Sequence, residues 1–297
     1  MPVTETAPEG IVVVDKPGGW TSHDVVGRMR RLAGTRRVGH AGTLDPMATG
    51  VLVLGVGRAT RLLGHLAGAD KAYSATVRLG QATTTDDAEG EPAGGAPAGD
   101  VPAETLLEAV AALTGDIEQV PSSVSAIKVN GKRAYALARA GEEVQLAARP
   151  VTVSAFVVGE SRRSDDGALL DLDVEVACTS GTYVRALARD LGRALGVGGH
   201  LTMLRRTRVG PWTLEDARTL EKLEEQVDVL PMAAAAGRAF PRREVGAEDA
   251  ARLAHGALLP AEGTAGPVAV FGPDGAFLAL VEERGGRARP LAVFAAA

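Results

Sequence analysis

The sequence predicts an α+β fold made of one large domain and a small β-rich unit after it. Ala168–Cys178 alternates apolar and acidic residues, which is typical of a strand with one buried face. Four apolar residues recur at helical spacing after Ser22, an expected N-cap, so a helix should pack one face on the core. From about Arg238 onward the pattern indicates short strands and one short helix. A chain of 297 residues is long enough for one large domain and a small one.

The elements of the large domain follow in order from apolar runs, alternation and helical spacing. Gly10–Asp15 and Val51–Leu54 are short apolar runs bounded by turn residues, which predicts buried strands. Lys71–Gly80 alternates apolar and polar residues, which predicts a half-exposed strand. Other strands or extended segments are predicted at Gln119–Lys128, Val151–Val158, Ala168–Cys178 and Leu201–Trp212. Helices are predicted after Ser22 as far as Gly34, at Ala59–Leu66, Pro102–Leu113 and Lys132–Ala140, and from Tyr183 to Leu195.

Composition places the domain boundaries. Ala88–Gly99 is rich in Pro, Gly and Ala, so residues 88–101 are predicted to form a mobile loop. The segment Ala233–Gly237, four alanines and a glycine, marks a shift in composition, which divides the chain into domains 1–235 and 238–297. In the second, a helix is predicted at Ala247–His255 and strands at Val268–Phe271, Phe277–Val281 and Leu291–Phe294.

The overall composition excludes several classes of protein. Apolar residues make up 45% of the chain, as in a globular protein with a sizeable core. Cys178 is the only cysteine, which excludes an intramolecular disulfide and a cysteine-built metal site. The polar, acidic first residues predict no signal peptide, and no apolar run approaches ~18 residues, so no membrane span is expected. We therefore expect a cytoplasmic protein.

The distribution of charge favours a protein that binds nucleic acid at a local surface over a protein that binds polyanions in general. The net charge is −5, but the arginines are clustered. Either cluster alone would be interpreted as a solvated helix face, whereas two clusters beside motif-like sequence indicate a phosphate-binding surface. The clusters are Arg28, Arg30, Arg31, Arg36 and Arg37, and Arg185, Arg189, Arg193, Arg205, Arg206 and Arg208.

Asp45 is the candidate catalytic group. It lies in Gly39–Arg61, where a loop of turn-forming residues precedes the buried run Val51–Leu54. Catalytic groups are commonly displayed on loops whose bases are anchored in the core. Composition alone leaves a second interpretation open, because Asp45-Pro46 is also ordinary turn chemistry.

The motifs around Asp45 resemble a known family. Gly39–Gly50, which reads G-H-A-G-T-L-D-P-M-A-T-G, closely resembles the catalytic motif of the bacterial tRNA pseudouridine-55 synthases, the TruB family, kin to dyskerin. The resemblance extends over about Gly10–Trp212. The other matching segments are Asp15-Lys16-Pro17 with Thr21-Ser22, Lys71-x-Tyr73 with Arg78-Leu79-Gly80, Pro121-Ser122 with Ser125–Lys128, and Cys178–Arg185 followed by Leu204-Arg205-Arg206.

The resemblance implies the roles of the site residues. It makes Asp45 the nucleophile or its equivalent, which captures C1′ of uridine or assists elimination to a glycal. Arg185 pairs with the aspartate; the alternative for Arg185 is a phosphate contact. Tyr73 stacks on the flipped uracil, Tyr183 and Leu204 line its pocket, His40 enters the RNA loop, and Lys16 shapes the pocket rim.

The resemblance also implies the fold, cofactors and partners. The fold expected is the pseudouridine-synthase fold, with a mixed, mainly antiparallel sheet flanked by helices and a small PUA-like RNA-binding domain. Within this C-terminal domain, the resemblance lies in Ala251–Pro260. The domain is shorter here than is usual in the family. The reaction is a redox-neutral isomerisation, so no cofactor and no metal are expected. The expected partner is the T-arm and T-loop of tRNA, bound by a monomer without a protein partner.

Three alternatives compete with a stand-alone synthase. A non-catalytic RNA chaperone would use the arginine surfaces, but it would not need Asp45 with Tyr73 and Arg185. A carboxylate glycosidase would need a second paired acid, and only Asp86 and Asp87 are nearby. A guide-RNA-dependent synthase like dyskerin is disfavoured by the absence of a long basic tail.

Overall fold

The computed structural model describes residues 8–122, 128–129, 132–133 and 146–295. The chain divides into two compact units. The first unit contains Met1–Pro46, Gly50–Gly68 and Val209–Ala297, and the second contains Met47–Thr49 and Ala69–Arg208. Helices and mainly antiparallel strands occur in both units, so the α+β class predicted from the sequence is confirmed.

The first unit begins with a sheet built on the apolar runs near the N-terminus. Its elements here are β1 (Gly10–Lys16), α1 (Ser22–Leu32), β2 (Val38–Ala41), β3 (Thr49–Val56), a 3₁₀ helix (Gly57–Leu62) and α2 (Leu63–Leu66). β1 and β2 both pair antiparallel with β3, which is buried along nearly its whole length. Thr21, not Ser22, is the N-cap of α1, because its side chain and that of Asp24 form a reciprocal capping box.

The second unit holds the longer strands. Its strands are β4 (Lys71–Leu79), β5 (Gly115–Gln119), β6 (Lys128–Val129), β7 (Lys132–Arg133), β8 (Arg149–Arg163), β9 (Leu170–Cys178) and β10 (Gly199–Val209), which ends in the first unit. Its helices are α3 (Ala103–Ala112) and α4 (Val184–Ala194). Five of the strands are neighbours in the order β10-β4-β9-β8-β5. The strand predicted at Ala168–Cys178 is confirmed, since β9 pairs with β4 along its whole length.

Two sequence predictions in this unit had different outcomes. The helix predicted from Lys132 is wrong at its start, because β7 pairs antiparallel with β6, and the rest of Lys132–Ala140 lies outside the described residues. The loop predicted to be mobile at residues 88–101 is held by backbone hydrogen bonds from Ala96 to Val197 and from Gly99 to Gly167. Its mobility stays a prediction.

The C-terminal part of the chain completes the first unit. Its strands are β11 (Trp212–Thr213), β12 (Leu230–Pro231), β13 (Arg242–Glu244), β14 (Leu259–Pro260), β15 (Pro267–Phe271), β16 (Phe277–Arg284) and β17 (Arg287–Val293). Its helices are α5 (Leu220–Glu225), α6 (Met232–Ala239) and α7 (Ala247–Ala254). Five strands form a sheet in the order β13-β15-β16-β17-β14, so the predicted β-rich C-terminal part is confirmed.

The predicted boundary between residues 235 and 238 falls inside α6, whose Ala235 and Ala236 are buried. Both alanines belong to one apolar core with Ile11 and Val53 from the N-terminal strands and Phe271 from β15. The independence of residues 238–297 as a domain stays a prediction.

Candidate active site

Asp45 lies in the loop between β2 and β3. The two strands pair from Val38 opposite Val56 to Ala41 opposite Val53, so the loop connects two regularly paired strands. Asp45 itself is half-buried, between the buried Leu44 and the half-buried Pro46. The loop therefore presents one carboxylate from an anchored base, as the sequence predicts.

Contacts from the start of α1 and the turn before it hold this loop. The hydroxyl of Ser22 donates to the carbonyl oxygen of Leu44 at 3.1 Å and accepts from the Leu44 N–H at 2.9 Å. On the other side of Asp45, the carbonyl oxygen of Pro46 accepts from the Gly19 N–H at 2.8 Å and from the Lys16 ammonium at 3.2 Å. Both neighbours of Asp45 are thus tied to the segment 16–22.

Lys16 is fully buried at the end of β1. Its ammonium also donates to the carbonyl oxygens of Pro17 at 2.9 Å and Trp20 at 2.6 Å. Carbonyl oxygens around a buried ammonium offset the cost of removing the charge from water. Lys16 therefore closes the turn that supports the Asp45 loop, while its predicted place at a pocket rim stays a prediction.

His40 is half-buried in β2, opposite Leu54 of β3. Its ring meets the ring of His23 edge-on, with the centroids 5.6 Å apart. Nearby on the surface, Arg31, Arg36 and Arg37 are exposed, whereas Arg28 pairs with Glu224. The first unit therefore carries Lys16, His40, Asp45 and exposed cations.

The second unit holds the predicted base-binding side chains. Tyr73 of β4 and Leu204 of β10 lie on neighbouring strands and are 7% and 6% exposed. Lys71 precedes Tyr73 by two residues, so it shares the same face of β4. Burial lowers the pKa of Lys71 to about 8, and the nearby Arg206 adds to this effect. The face of β4 that carries Tyr73 is therefore largely apolar, but the buried cationic side chains of Lys71 and Arg206 lie close to each other there.

Tyr183 stands immediately before α4 and is half-buried. The buried side chain of Gln119 accepts from the Tyr183 N–H at 2.8 Å and donates to its carbonyl oxygen at 3.1 Å. These two bonds orient the backbone at Tyr183. Sequence reasoning missed Gln119, because nothing local in the sequence relates β5 to the start of α4.

Arg185 is buried in the first turn of α4. Its guanidinium donates to the carbonyl oxygen of Thr85 at 2.9 Å and lies 3.4 Å from a carboxylate oxygen of Asp87. Both side chains are 4% exposed. Asp87 was considered from the sequence only as a glycosidase acid, so its pairing with Arg185 was missed. The predicted pairing of Arg185 with Asp45 stays a prediction.

The segment that carries Asp87 is also unusual in its backbone. Asp86 has a positive φ of 61°, the only such non-glycine residue among the described residues. Burial raises the pKa of Asp86, while the Arg189 guanidinium at 3.2 Å opposes the rise. Aspartate tolerates this left-handed conformation better than most residues do, and here it occurs next to the carboxylate that lies beside Arg185.

Two other kinds of site are absent from the parts of the chain that the structure describes. No group of three or more His, Cys, Asp or Glu side chains there could hold a metal ion. No helix there is long and apolar enough to cross a membrane.

Family models match nearly the whole chain. The model described as TruB family pseudouridylate synthase, N-terminal domain, matches residues 30–184, which is more than half of the chain. The chain belongs to the TruB family. Residues 185–233 match the tRNA pseudouridylate synthase B C-terminal domain, and residues 240–295 match the C-terminal part of tRNA pseudouridine synthase II. The chain is thus an isomerase, as predicted.

Curated TruB relatives are similar over their full length. Proteins named tRNA pseudouridine synthase B from Arthrobacter sp. strain FB24 and Thermobifida fusca are each 60% identical to the chain. The first alignment covers 96% of both chains, and the second covers 97% of this chain and 99% of the relative. A protein of the same name from Streptomyces coelicolor is 61% identical over 99% of this chain and all of the relative.

Solved structures confirm the predicted pseudouridine-synthase fold. A chain of a Cbf5–Nop10–Gar1 complex is 27% identical with a TM-score of 0.73, and covers 96% of this chain and 84% of its own length. A chain of the archaeal box H/ACA Nop10–Cbf5 complex is 28% identical with a TM-score of 0.69, and covers 99% and 88%. The predicted kinship to dyskerin agrees with these matches to Cbf5.

Proposed function

We propose that this chain isomerises uridine 55 in the T-loop of tRNA to pseudouridine, with Asp45 as the nucleophile on a flipped-out base. The observation that carries the proposal is the identity of about 60%, over at least 96% of the chain, with relatives named tRNA pseudouridine synthase B. The anchored loop around Asp45 supports the assignment of the nucleophile, because a covalent step needs a carboxylate in a defined position.

The proposed chemistry exchanges one bond for another at the ribose. The N1–C1′ bond of uridine breaks, its electron pair stays with uracil, and the Asp45 carboxylate adds to C1′. The uracil then turns, and its C5 attacks C1′ and displaces Asp45. Loss of the C5 proton and protonation of N1 complete an isomerisation in which nothing is oxidised or reduced.

The remaining site residues receive roles that suit their chemistry. Tyr73 would stack on the flipped uracil, which is worth ~1–3 kcal/mol for a base on an aromatic ring. Tyr183 and Leu204 would line the base pocket, and Lys16 would shape its rim. Arg185 would stabilise the carboxylate of Asp45. His40 would occupy the gap that the flipped base leaves in the T-loop, while exposed arginines of the first unit contact phosphates of the T-arm.

The test is the conversion of an unmodified tRNA transcript by the purified protein alone. We expect pseudouridine at one uridine of the T-loop with wild type. Asp45→Ala should lower the rate by at least about 1,000-fold, which is the scale on which removal of a covalent nucleophile acts. Asp165→Ala, which removes an exposed carboxylate, is the matched control and should retain the wild-type rate. Product at another uridine, or equal product from Asp45→Ala, would contradict the proposal.

The same experiment separates the proposal from two alternatives. The likeness to Cbf5 favours a guided enzyme as the second candidate, since the solved complexes contain Nop10 and Gar1 or box H/ACA components. Product without guide RNA or protein partners supports a stand-alone enzyme. An RNA chaperone without catalysis predicts tRNA binding and no pseudouridine with either wild type or Asp45→Ala.

A further inference from the structure

The hydroxyl of Ser22 makes an unusual pair of contacts with one residue. It donates to the carbonyl oxygen of Leu44 at 3.1 Å and accepts from the N–H of the same residue at 2.9 Å. Ser22 is 1% exposed, and Leu44 is 4% exposed, so water does not compete at this position. One buried hydroxyl thus satisfies both polar groups of the backbone at Leu44.

This contact constrains the residue that follows. The Leu44 carbonyl belongs to the same planar peptide group as the Asp45 N–H, so the bond from Ser22 fixes the plane from which Asp45 departs. On the other side, Pro46 restricts the backbone of Asp45 to extended conformations. The carbonyl of Pro46 is itself bonded to the Gly19 N–H at 2.8 Å. The backbone of Asp45 is thereby defined from both directions.

We infer that Ser22 is a positioning residue that sets the place of the Asp45 carboxylate through Leu44. The inference rests on the proposed role of Asp45 as the nucleophile. Ser22 is not needed as the cap of α1, because Thr21 and Asp24 form the capping box. Its hydroxyl is directed across to the loop instead, from a helix whose buried face is held by Val25, Val26 and Met29.

Loss of the hydroxyl should therefore affect the chemical step more than RNA binding. A buried N–H and a buried C=O left without partners will move to find others, and the loop will move with them. A displacement of about 1 Å at a catalytic group can cost on the order of 100-fold in rate. Nothing in this change alters the exposed cations that would contact the tRNA.

The experiment compares Ser22→Ala, Ser22→Cys and Thr21→Ala with wild type and Asp45→Ala on a tRNA transcript. Thr21→Ala is the matched control, because it damages the same end of α1 through the cap and leaves the Leu44 contacts in place. Thermal unfolding first establishes a temperature at which every variant is folded. The values measured there are kcat, KM and the single-turnover rate.

We expect Ser22→Ala to lower kcat and the single-turnover rate by about 10- to 100-fold, with KM within about twofold of wild type. Ser22→Cys keeps a small polar group with weaker hydrogen bonds and should lie between. Thr21→Ala should keep the wild-type kcat. The inference is overturned if Ser22→Ala has a wild-type kcat while Asp45→Ala is inactive, or if Thr21→Ala loses as much kcat as Ser22→Ala. An active Asp45→Ala would instead overturn the proposed function.

Discussion

The buried guanidinium of Arg185 lies beside the buried carboxylate of Asp87. A cation in the first turn of a helix is opposed by the helix dipole, and burial adds a desolvation cost. Asp87 offsets both, since its carboxylate lies 3.4 Å from the guanidinium and is equally buried. Thr85 holds that carboxylate through its hydroxyl at 2.5 Å. Arg185 is therefore a charged group that the second unit keeps in one place.

Asp87→Asn should destabilise the protein through this pair. It removes the buried carboxylate that lies beside the Arg185 guanidinium, so we expect the free energy of unfolding to fall by about 3 kcal/mol. Denaturant unfolding followed by circular dichroism measures the change. Asp249→Asn is the control: it removes an exposed pair with Arg252 and should change the free energy by less than about 0.5 kcal/mol. A loss below about 1 kcal/mol for Asp87→Asn would show that the pair of Arg185 and Asp87 is not a main source of stability.

At the scale of elements, α4 approaches the start of β10 closely enough to need glycine. A Cβ on Gly192 would lie 2.2 Å from the backbone of Gly198 and Gly199. From the other side, a Cβ on Gly199 would lie 2.6 Å from the carbonyl oxygen of Ala188. This contact sets the position of α4, whose first turn carries Arg185.

Two helical glycines should respond to alanine with opposite signs. Gly192→Ala forces backbone atoms apart, so we expect a loss of about 1–3 kcal/mol in the free energy of unfolding. Gly27→Ala in α1 places its methyl group where no atom lies within 4 Å, so helix propensity should stabilise the protein by up to about 1 kcal/mol. Both are measured by denaturant unfolding. Equal effects from the two substitutions would mean that the close approach of α4 is not a packing requirement.

At the scale of the whole molecule, one apolar core joins sequence-distant parts of the first unit. It contains Val13 and Val51 from the N-terminal strands and Phe277 from β16. The ring of Phe277 lies between those of Phe271 and Phe294, with centroids 5.6 and 4.8 Å away. Trp212 is buried in the same core, so its fluorescence reports on the unit.

Phe277→Ala tests whether this core unfolds as one. We expect the free energy of unfolding to fall by about 3–5 kcal/mol, the usual cost of truncating a buried phenylalanine. The fluorescence of Trp212, measured in a Trp20→Phe background because the chain has two tryptophans, should change in the same transition, because Trp212 shares the core. Leu291→Ala removes a side chain that is 39% exposed and serves as the control, with little change expected. A separate early transition that leaves the Trp212 signal unchanged would support residues 238–297 as an independent domain.

Elements whose pattern is a property of the segment itself could be predicted from the sequence, whereas features that depend on contacts with other segments were predicted less well. β9 was recognised because its alternation reflects one buried face, a property of the strand alone. The cap of α1 was assigned one residue late, because Thr21 and Ser22 are both good capping residues; the capping box with Asp24 makes Thr21 the cap, and the hydroxyl of Ser22 bonds to Leu44 instead. The start of β7 was mistaken for helix because its two residues gain their pairing from β6.

The α+β class and the loop that displays Asp45 followed from local patterns of apolar and turn-forming residues, and the TruB family followed from the resemblance of several spaced motifs. The tertiary structure decided which groups hold that loop and that the carboxylate of Asp87 lies beside Arg185. Ser22 and Leu44 are 22 residues apart, and Arg185 and Thr85 are 100 residues apart. Such contacts depend on how strands and helices pack, and no local period in the sequence specifies that packing.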